Sequence, residues 1–265
     1  NSTIKNVNSS YKSYKMNDAV KIVYDFVYSD FCDWYIELSK TRFYGKDDKD
    51  RKTALNVSVY CMQTILKLLH PYTPYITEEL WSKFSTPDNS MLIIESWPTF
   101  EDSMINPNIE SNLELIKKTI SSIRNIRAEM NIPMGKEIDI IIKSCTDDLE
   151  IFNNLKAYIM RLGKIDTISI DTNAKKPEQA ASIVINNNEI FIPLKGVIDI
   201  EIEIERLEKQ LDAYNGRLKN VNKKLNNENF ISRAPRDIIA NEQKKQSKYL
   251  TVIEKIEENL KSFQS

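Results

Sequence analysis

The sequence predicts a mainly α-helical protein with a helical bundle, a small α/β connector and a C-terminal antiparallel coiled-coil hairpin. Glycine is scarce, at five of 265 residues, which disfavours a sheet protein with many tight turns. Apolar residues recur at intervals of three and four over residues 17–134 and again over 196–265. Residues 135–195 contain short β-rich runs instead, so the connector is expected there.

The bundle is predicted to contain four helices, whose bounds follow from the apolar spacing and from the prolines that interrupt it. These helices are expected at 17–44, 51–69, 75–84 and 109–130, with a brief extended piece at 91–97. Residues 1–16 mix Ser, Asn and Lys and are expected to be a linker or the first turn of a helix. The positions expected to face inward include Tyr24, Trp34 and Tyr35 in the first helix and Leu55, Val59 and Met62 in the second.

The connector has a different pattern, in which short β-rich runs surround one amphipathic helix. Its elements are expected as a strand at 137–143, a helix at 147–162, a strand at 165–171 and a hairpin formed by 182–186 and 189–193. The turn of that hairpin is expected at the three consecutive asparagines, Asn186 to Asn188.

The last seventy residues are predicted to fold back on themselves as a two-helix arm. A repeat of about 3.5 residues places one seam of a helix against a partner helix. A break around Phe230 and Pro235 separates two such seams. Residues 199–205 alternate Ile with acids and also fit a strand, but the repeat that continues on both sides favours a helix. Leu211 and Leu218 are expected to be largely buried in the seam.

The charge of this arm is unevenly distributed. The formal net charge of the whole chain is −1, so any electrostatic attraction must be local. Between residues 217 and 248 there are nine Lys or Arg but three Asp or Glu, whereas the base of the arm, at 199–205 and 254–258, is acidic. A hairpin with a basic tip is suited to contact a polyanion.

Several classes of protein are disfavoured by the sequence. It has no glycine-rich phosphate loop, no Ser-His-Asp order typical of a hydrolase and no His/Cys metal motif. Three distant cysteines indicate reduced thiols and a cytoplasmic location, and neither a membrane span nor a signal peptide is expected. The single histidine, His70, is expected to satisfy the terminal carbonyls of a helix rather than to act in catalysis. The first methionine is Met16, so a piece of a longer protein is expected.

Two motifs in the bundle resemble a known family. Residues 31–37 read FCDWYIE, and residues 69–81 read LHPYTPYITEELW. Together with the Trp-Pro pair at 97–98, they resemble the anticodon-binding domain of class I aminoacyl-tRNA synthetases of the valine, isoleucine and leucine group. Residues 123–133, IRNIRAEMNIP, and the arm segments LKGVID at 194–199 and ERLEK at 205–209 are similar to valyl-tRNA synthetases in particular.

The resemblance implies a tRNA-binding role. The bundle would hold the anticodon region of tRNA(Val) and the arm another part of the same tRNA, while a catalytic domain absent from this chain attaches valine using ATP. The ATP-binding signatures of that domain are missing, so no cofactor, no aminoacylation and no editing are expected of this chain alone. Its implied partners are tRNA(Val) and the catalytic domain, and a monomer is expected. The alternative is a coiled-coil protein-interaction module without a nucleic-acid role.

Candidate tRNA-binding residues follow from the charge pattern and the resemblance, each with a structural alternative. Lys40 and Arg42 end the first helix, where they could meet the anticodon stem or simply be solvated. For Arg124 and Arg127, a phosphate contact and pairing with a carboxylate are both open. Trp34, Tyr35 and Trp81 are expected to pack rather than stack on bases. The arm candidates are Arg217, Lys219, Lys223, Lys224, Phe230, Arg233, Arg236, Lys244 and Lys245, with Phe230 either capping the seam or acting as an apolar anchor.

Overall fold

The computed structural model describes residues 1–84, 90–227, 230 and 235–264. The chain divides into two compact units, residues 1–113 and residues 114–265. The first is helical, and the second contains the connector and the arm. The mainly α-helical fold class is therefore confirmed. Among the described residues, no helix is both long and apolar enough to cross a membrane.

The first unit begins with a helix that the sequence did not predict. Helix α1 covers Ser2–Lys12 and buries Ile4 and Val7, so this segment is neither a linker nor a single helical turn. A continuous helical stretch follows as α2 (Met16–Asp25), a π-helical segment (Phe26–Ile36) and α3 (Glu37–Phe43). The remaining elements are α4 (Asp48–Leu69), α5 (Pro74–Trp81) and 3₁₀ turns at Leu92–Ile94 and Asp102–Met104.

Two clusters form the core of this unit. Ile4, Val7, Ala19, Val23 and Leu68 pack together, which places α1 against α2 and the end of α4. In a second cluster, Trp81 of α5 packs with Leu66 and Leu92. The indole Nε1 of Trp81 also donates to the carbonyl of Ser90 at 3.0 Å. The predicted packing role of Trp81 is thus confirmed.

The corner between α4 and α5 is built by a short local network. The two prolines at 71 and 74 interrupt the helix, and Pro74 occupies the first turn of α5, where its missing N–H costs nothing. His70 Nδ1 lies 2.8 Å from Thr77 Oγ1, so the histidine joins the two helix ends. His70 is therefore structural, as expected, although its partner is a hydroxyl group rather than a terminal carbonyl.

Some predicted core positions lie on the surface. Leu55 and Val59 of α4 and Tyr24 of α2 are exposed, although their spacing placed them inward. Near the start of α4, Ala54 is the buried residue, because this end of the helix is covered over a narrower face than its second half. The piece at 91–97, expected to be extended, contains a 3₁₀ turn whose amides at Leu92 and Ile93 donate to the carboxylate of Glu78.

The connector contains the predicted sheet. Its elements are α6 (Pro107–Glu129, whose residues from 114 onward belong to the second unit), β1 (Ile138–Lys143), α7 (Leu149–Gly163), β2 (Ile165–Asp171), β3 (Ala180–Ile185) and β4 (Asn188–Pro193). The strand order is β2-β1-β4-β3, with β1 parallel to β2 and the other pairs antiparallel. Ile142 pairs with Ile170 on one side and Ile190 on the other, and Phe152 of α7 is fully buried. The predicted strands, helix and hairpin are confirmed.

The arm is an antiparallel pair of helices, α8 (Ile200–Leu225) and α9 (Arg236–Gln264), within one chain. The Tyr214 and Tyr249 rings meet edge to face at 5.8 Å, and Gln246 donates to Asn222 at 2.7 Å. The Asp199 carboxylate caps α8 by accepting from the amide of Ile202, which resolves 199–205 as a helix start.

Leu211 and Leu218, expected to be largely buried, are less completely enclosed than seam residues at the base of the arm. Both are half-buried, whereas Leu207 and Ile256 are buried. The seam between the two helices encloses some residues and leaves others partly exposed: Val221, which lies nearer the tip, is buried as well. At the base of the arm α9 also contacts β3, which adds a third layer there.

Candidate nucleic-acid interface

The strongest positive surface suggested by the sequence is the arm tip, defined here as residues 217–227 and 236–248. Lys219, Lys223 and Lys244 are exposed there, and within the described part of the chain none of the three belongs to an ion pair. An exposed ammonium group that belongs to no ion pair can bind phosphate without first breaking an internal ion pair. These three lysines are the candidates that remain open to a polyanion.

Other cations of the arm tip have internal partners. Lys245 contacts the Glu242 carboxylate at 2.7 Å, and Lys224 lies 3.5 Å from the same group. The hydrogen bond from Lys245, and then the charges of both lysines, hold the pKa of the nearly buried Glu242 below its ordinary value. Arg217 lies over the Tyr214 ring at 5.0 Å. The basic charge of the tip is therefore partly neutralised by one acid that the sequence pattern did not single out.

Three further arm candidates have different outcomes. Phe230 is half-buried, which fits either a seam cap or an anchor. Arg233 lies outside the described residues, and so does the side chain of Arg236, although its backbone begins α9.

The candidates at the end of α3 are both in ion pairs. Lys40 contacts Glu37 at 2.5 Å, one turn earlier in the helix. Arg42 donates from Nε and Nη2 to Asp50 Oδ1 at 2.9 and 2.6 Å, which joins α3 to α4. The guanidinium hydrogen bonds hold the pKa of the Asp50 carboxyl below its ordinary value. Arg42 thus has a role in holding a helical corner together.

Arg127 is a structural residue, contrary to both expectations for it. Its side chain is 7% exposed, so its surface for a phosphate is small. The guanidinium donates to the carbonyl groups of Pro133 at 3.0 Å, Lys136 at 2.6 Å and Lys164 at 3.2 Å rather than to a carboxylate. Burial lowers the pKa of this guanidinium. The nearby Arg124 is exposed but donates from Nε to the Leu162 carbonyl at 3.0 Å.

The comparisons with known proteins match two separate parts of the chain to two families. Residues 1–142 match the family described as the anticodon-binding domain of tRNA ligase. The chain belongs to this family. Residues 199–264 match a second family, described as the valyl tRNA synthetase tRNA binding arm. The resemblance found in the motifs is thereby confirmed, and the segment that matches the second family coincides with the two-helix hairpin.

Curated relatives match the whole chain rather than one of its parts. The valine–tRNA ligase of Fusobacterium nucleatum subsp. nucleatum is 36% identical over 269 residues, which covers 100% of this chain and 30% of the relative. The valine–tRNA ligases of Enterococcus faecalis (37% identical over 268 residues) and Clostridium perfringens (35% identical over 265 residues) also match 100% of this chain, over 30% of their own length. The chain spans about 30% of the length of these relatives.

Among the exposed aromatic residues within 1–142, one adjacent pair lies where the sequence pattern did not predict exposure. Trp34 and Tyr35 are half-buried, and the Tyr35 hydroxyl donates to the Ala54 carbonyl at 3.0 Å. Tyr24 and Tyr28 are instead exposed, with ring centroids 4.4 Å apart. Their spacing of four residues puts both rings on one face of the helix, which was the available signal.

Sequence reasoning also missed a charged pair at the base of the arm. Glu203 of α8 is buried, and Arg206 donates to both of its carboxylate oxygens. The spacing of three residues was visible in the sequence, but the acidic run around Glu203 made it look like part of a solvated helix start. In the described part of the chain, no group of His, Cys, Asp or Glu is arranged to hold a metal ion.

Proposed function

We propose that this chain is the tRNA-holding part of a valine–tRNA ligase. The anticodon-binding domain addresses the anticodon loop of tRNA(Val), and the arm tip contacts the RNA backbone at a second place. The remainder of the longer polypeptide attaches valine to this tRNA using ATP, and the chain acts as a monomer. Support comes from the two family matches and from the match of the whole chain to about 30% of curated valine–tRNA ligases.

The observation that carries the arm's part of the proposal is the exposure of Lys219, Lys223 and Lys244 at the arm tip, without an ion-pair partner in the described part. Lysine contacts to phosphate are independent of base sequence and release counterions, so they contribute affinity and a steep salt dependence. Base recognition has to come from elsewhere. Unpaired bases of an RNA loop stack on exposed aromatic rings, and Tyr24 and Tyr28 offer such rings in the anticodon-binding domain.

The alternative of a protein-interaction coiled coil is not favoured. A partner helix would need a second continuous apolar stripe on the arm. The large exposed apolar residues of the described arm are Ile202, Ile238 and Leu250. Ile238 and Leu250 are twelve residues apart on α9, which puts them about 120° apart around the helix at 3.6 residues per turn. They do not form a stripe.

The experiment that tests the proposal measures binding of tRNA(Val) and an unrelated tRNA to the chain over a series of salt concentrations. In the tip variant, Lys219, Lys223 and Lys244 are all changed to Gln. We expect weaker binding of both RNAs by similar factors, because phosphate contacts carry no sequence information. The slope of the logarithm of the association constant against the logarithm of the salt concentration should become shallower by about one unit for each phosphate that the variant no longer binds.

A matched control removes the same charge from the connector. Lys164, Lys175 and Lys195 are exposed there, outside both the arm and the anticodon-binding match, and their change to Gln should leave affinity and salt slope almost unaltered. Equal behaviour of the tip and control variants, with helicity retained by circular dichroism, would exclude the arm tip as the contact. The preference of the unmodified chain for tRNA(Val) over the unrelated tRNA tests the specificity.

A further inference from the structure

The base of the arm is attached to the end of α6 by a set of polar contacts, called here the arm joint: Glu129, Asn131, Lys136, Glu203, Arg206 and Lys255. All of them belong to the second unit of the chain. They lie far from the exposed lysines of the arm tip, and neither family match assigns them a role.

One side of the joint is the turn that ends α6. Asn131 has a left-handed backbone, with φ of 50°, and asparagine tolerates this conformation better than most residues. The amide of Ile132 donates to the Arg127 carbonyl at 2.8 Å, and the amide of Asn131 to the Ala128 carbonyl at 3.3 Å. This pair of bonds is the Schellman arrangement of a helix end. The turn is thus fixed by backbone bonds and by the Arg127 side chain behind it.

The first arm helix contacts this turn through Arg206. Both of its forked N–H groups engage the Glu203 carboxylate, which is 6% exposed. Nη2 of the same guanidinium lies 3.3 Å from the carbonyl of Glu129, the last residue of α6. A carboxylate that is this deeply buried needs its cation, because an uncompensated buried charge is strongly unfavourable. The pair therefore holds Arg206 in the orientation that reaches α6.

The second arm helix and the entry to the arm contact the same region. Lys255 of α9 lies 3.5 Å from the Glu129 carboxylate, so Glu129 is contacted by both arm helices. Lys136 donates to the carbonyls of Gly196 and Val197 at 2.7 and 2.8 Å, in the segment that leads into α8. The direction of the arm is thereby fixed at three points around the end of α6.

We propose that Glu203 and Arg206 are positioning residues that fix the direction of the arm and so bring its tip lysines to their RNA contact. This inference rests on the proposed function. A helix of 26 residues is about 39 Å long at 1.5 Å per residue, so tilting α8 by about 15° at its base moves the tip by about 10 Å. Such a displacement exceeds the reach of an ammonium–phosphate contact. Loosening the joint therefore keeps the tip lysines from the phosphates that they could otherwise reach.

The direct test measures a distance within the second unit. Spin labels at Lys219→Cys on the arm and Asn154→Cys on α7, with Cys32, Cys61 and Cys145 changed to Ser, report the arm direction without any RNA. We expect a narrow distance distribution in the otherwise unmodified chain and a broad one in Arg206→Gln. The matched control is Lys209→Gln, because Lys209 pairs with Glu205 on the same helix in an exposed i,i+4 contact. The control should keep the narrow distribution.

The functional test measures tRNA(Val) affinity in the same variants without labels. An RNA that is bound at two places at once can bind about 100-fold more tightly than an RNA bound at one place. If the arm is loosened, the second contact forms less often, and part of this gain in affinity is lost. We therefore expect about tenfold weaker binding for Arg206→Gln and less than about twofold for Lys209→Gln. Arg206→Lys keeps the charge but not the forked geometry and should fall between them.

The possible outcomes separate this inference from the proposed function. A broadened distance with unchanged affinity, or an unchanged distance, would overturn the positioning role even if the tip variant weakens binding. If the tip variant binds normally, the proposed contact fails, and the distance measurement still decides whether the joint fixes the arm. Should Arg206→Gln lose helicity, Arg206→Lys provides the same comparison in a folded chain.

Discussion

The connector and the arm contain positively charged side chains in opposite surroundings. Arg127 is enclosed by the connector and donates to three carbonyls, whereas Lys223 stands in solvent at the arm tip. The difference arises from the number of secondary-structure layers that surround each side chain. A sheet with helices against it encloses a side chain on several sides, but a two-helix arm covers one seam and leaves the rest exposed. The connector therefore encloses Arg127, whereas the arm tip leaves Lys223 in solvent.

The largest effect is expected when the enclosed cation, Arg127, is removed. Arg127→Met keeps much of the side-chain volume but leaves the carbonyls of Pro133, Lys136 and Lys164 without their donor. Because Arg127 is buried and a hydrogen bond from a charged group contributes about 1.5–3 kcal/mol, we expect the free energy of unfolding to fall by about 2–4 kcal/mol. Urea denaturation followed by circular dichroism measures it.

Its control is Arg161→Met, which removes an exposed arginine from α7 in the same unit. That variant should change the free energy of unfolding by less than about 0.5 kcal/mol, the usual range for a surface position. If both variants are equally mild, Arg127 is not a structural residue, and its phosphate contact becomes open again.

A second, smaller effect compares two positions in the arm itself. Leu207→Ala removes a buried side chain at the base, where α9 also meets β3, and should cost about 2–3 kcal/mol. Leu211→Ala removes a half-buried side chain one turn further out and should cost about 1 kcal/mol. Thermal unfolding of both variants gives the ranking. Equal losses would mean that the seam is enclosed along its length, which contradicts the contrast between base and arm.

The predictions from sequence succeeded where the signal is local and failed where it depends on distant partners. Periodicity gave the arm hairpin and the strands, because it reports which face of an element is apolar. Helix α1 was missed because Ile4 and Val7 are separated by polar residues that are typical of a linker. The role of Arg127 could not be predicted, because one of its partners, the carbonyl of Lys164, is 37 residues away in the sequence.

The smallest expected effect concerns the one acid that neutralises part of the arm tip. Lys245 and Lys224 lower the pKa of Glu242 in the folded arm below its ordinary value of 4.5. A carboxyl with a lowered folded-state pKa stabilises the fold above its unfolded pKa, and this contribution is lost as the pH falls through the folded pKa. Glu242→Gln should therefore unfold at a lower temperature than the unmodified chain at about pH 7, and the difference should shrink as the pH falls below the ordinary pKa of 4.5 and vanish once the carboxyl of the folded arm is protonated. The exposed Glu254→Gln of the same helix should show little difference at either pH. If the difference in unfolding temperature between Glu242→Gln and the unmodified chain stays constant with pH, the ion pairs with Lys224 and Lys245 do not stabilise the arm.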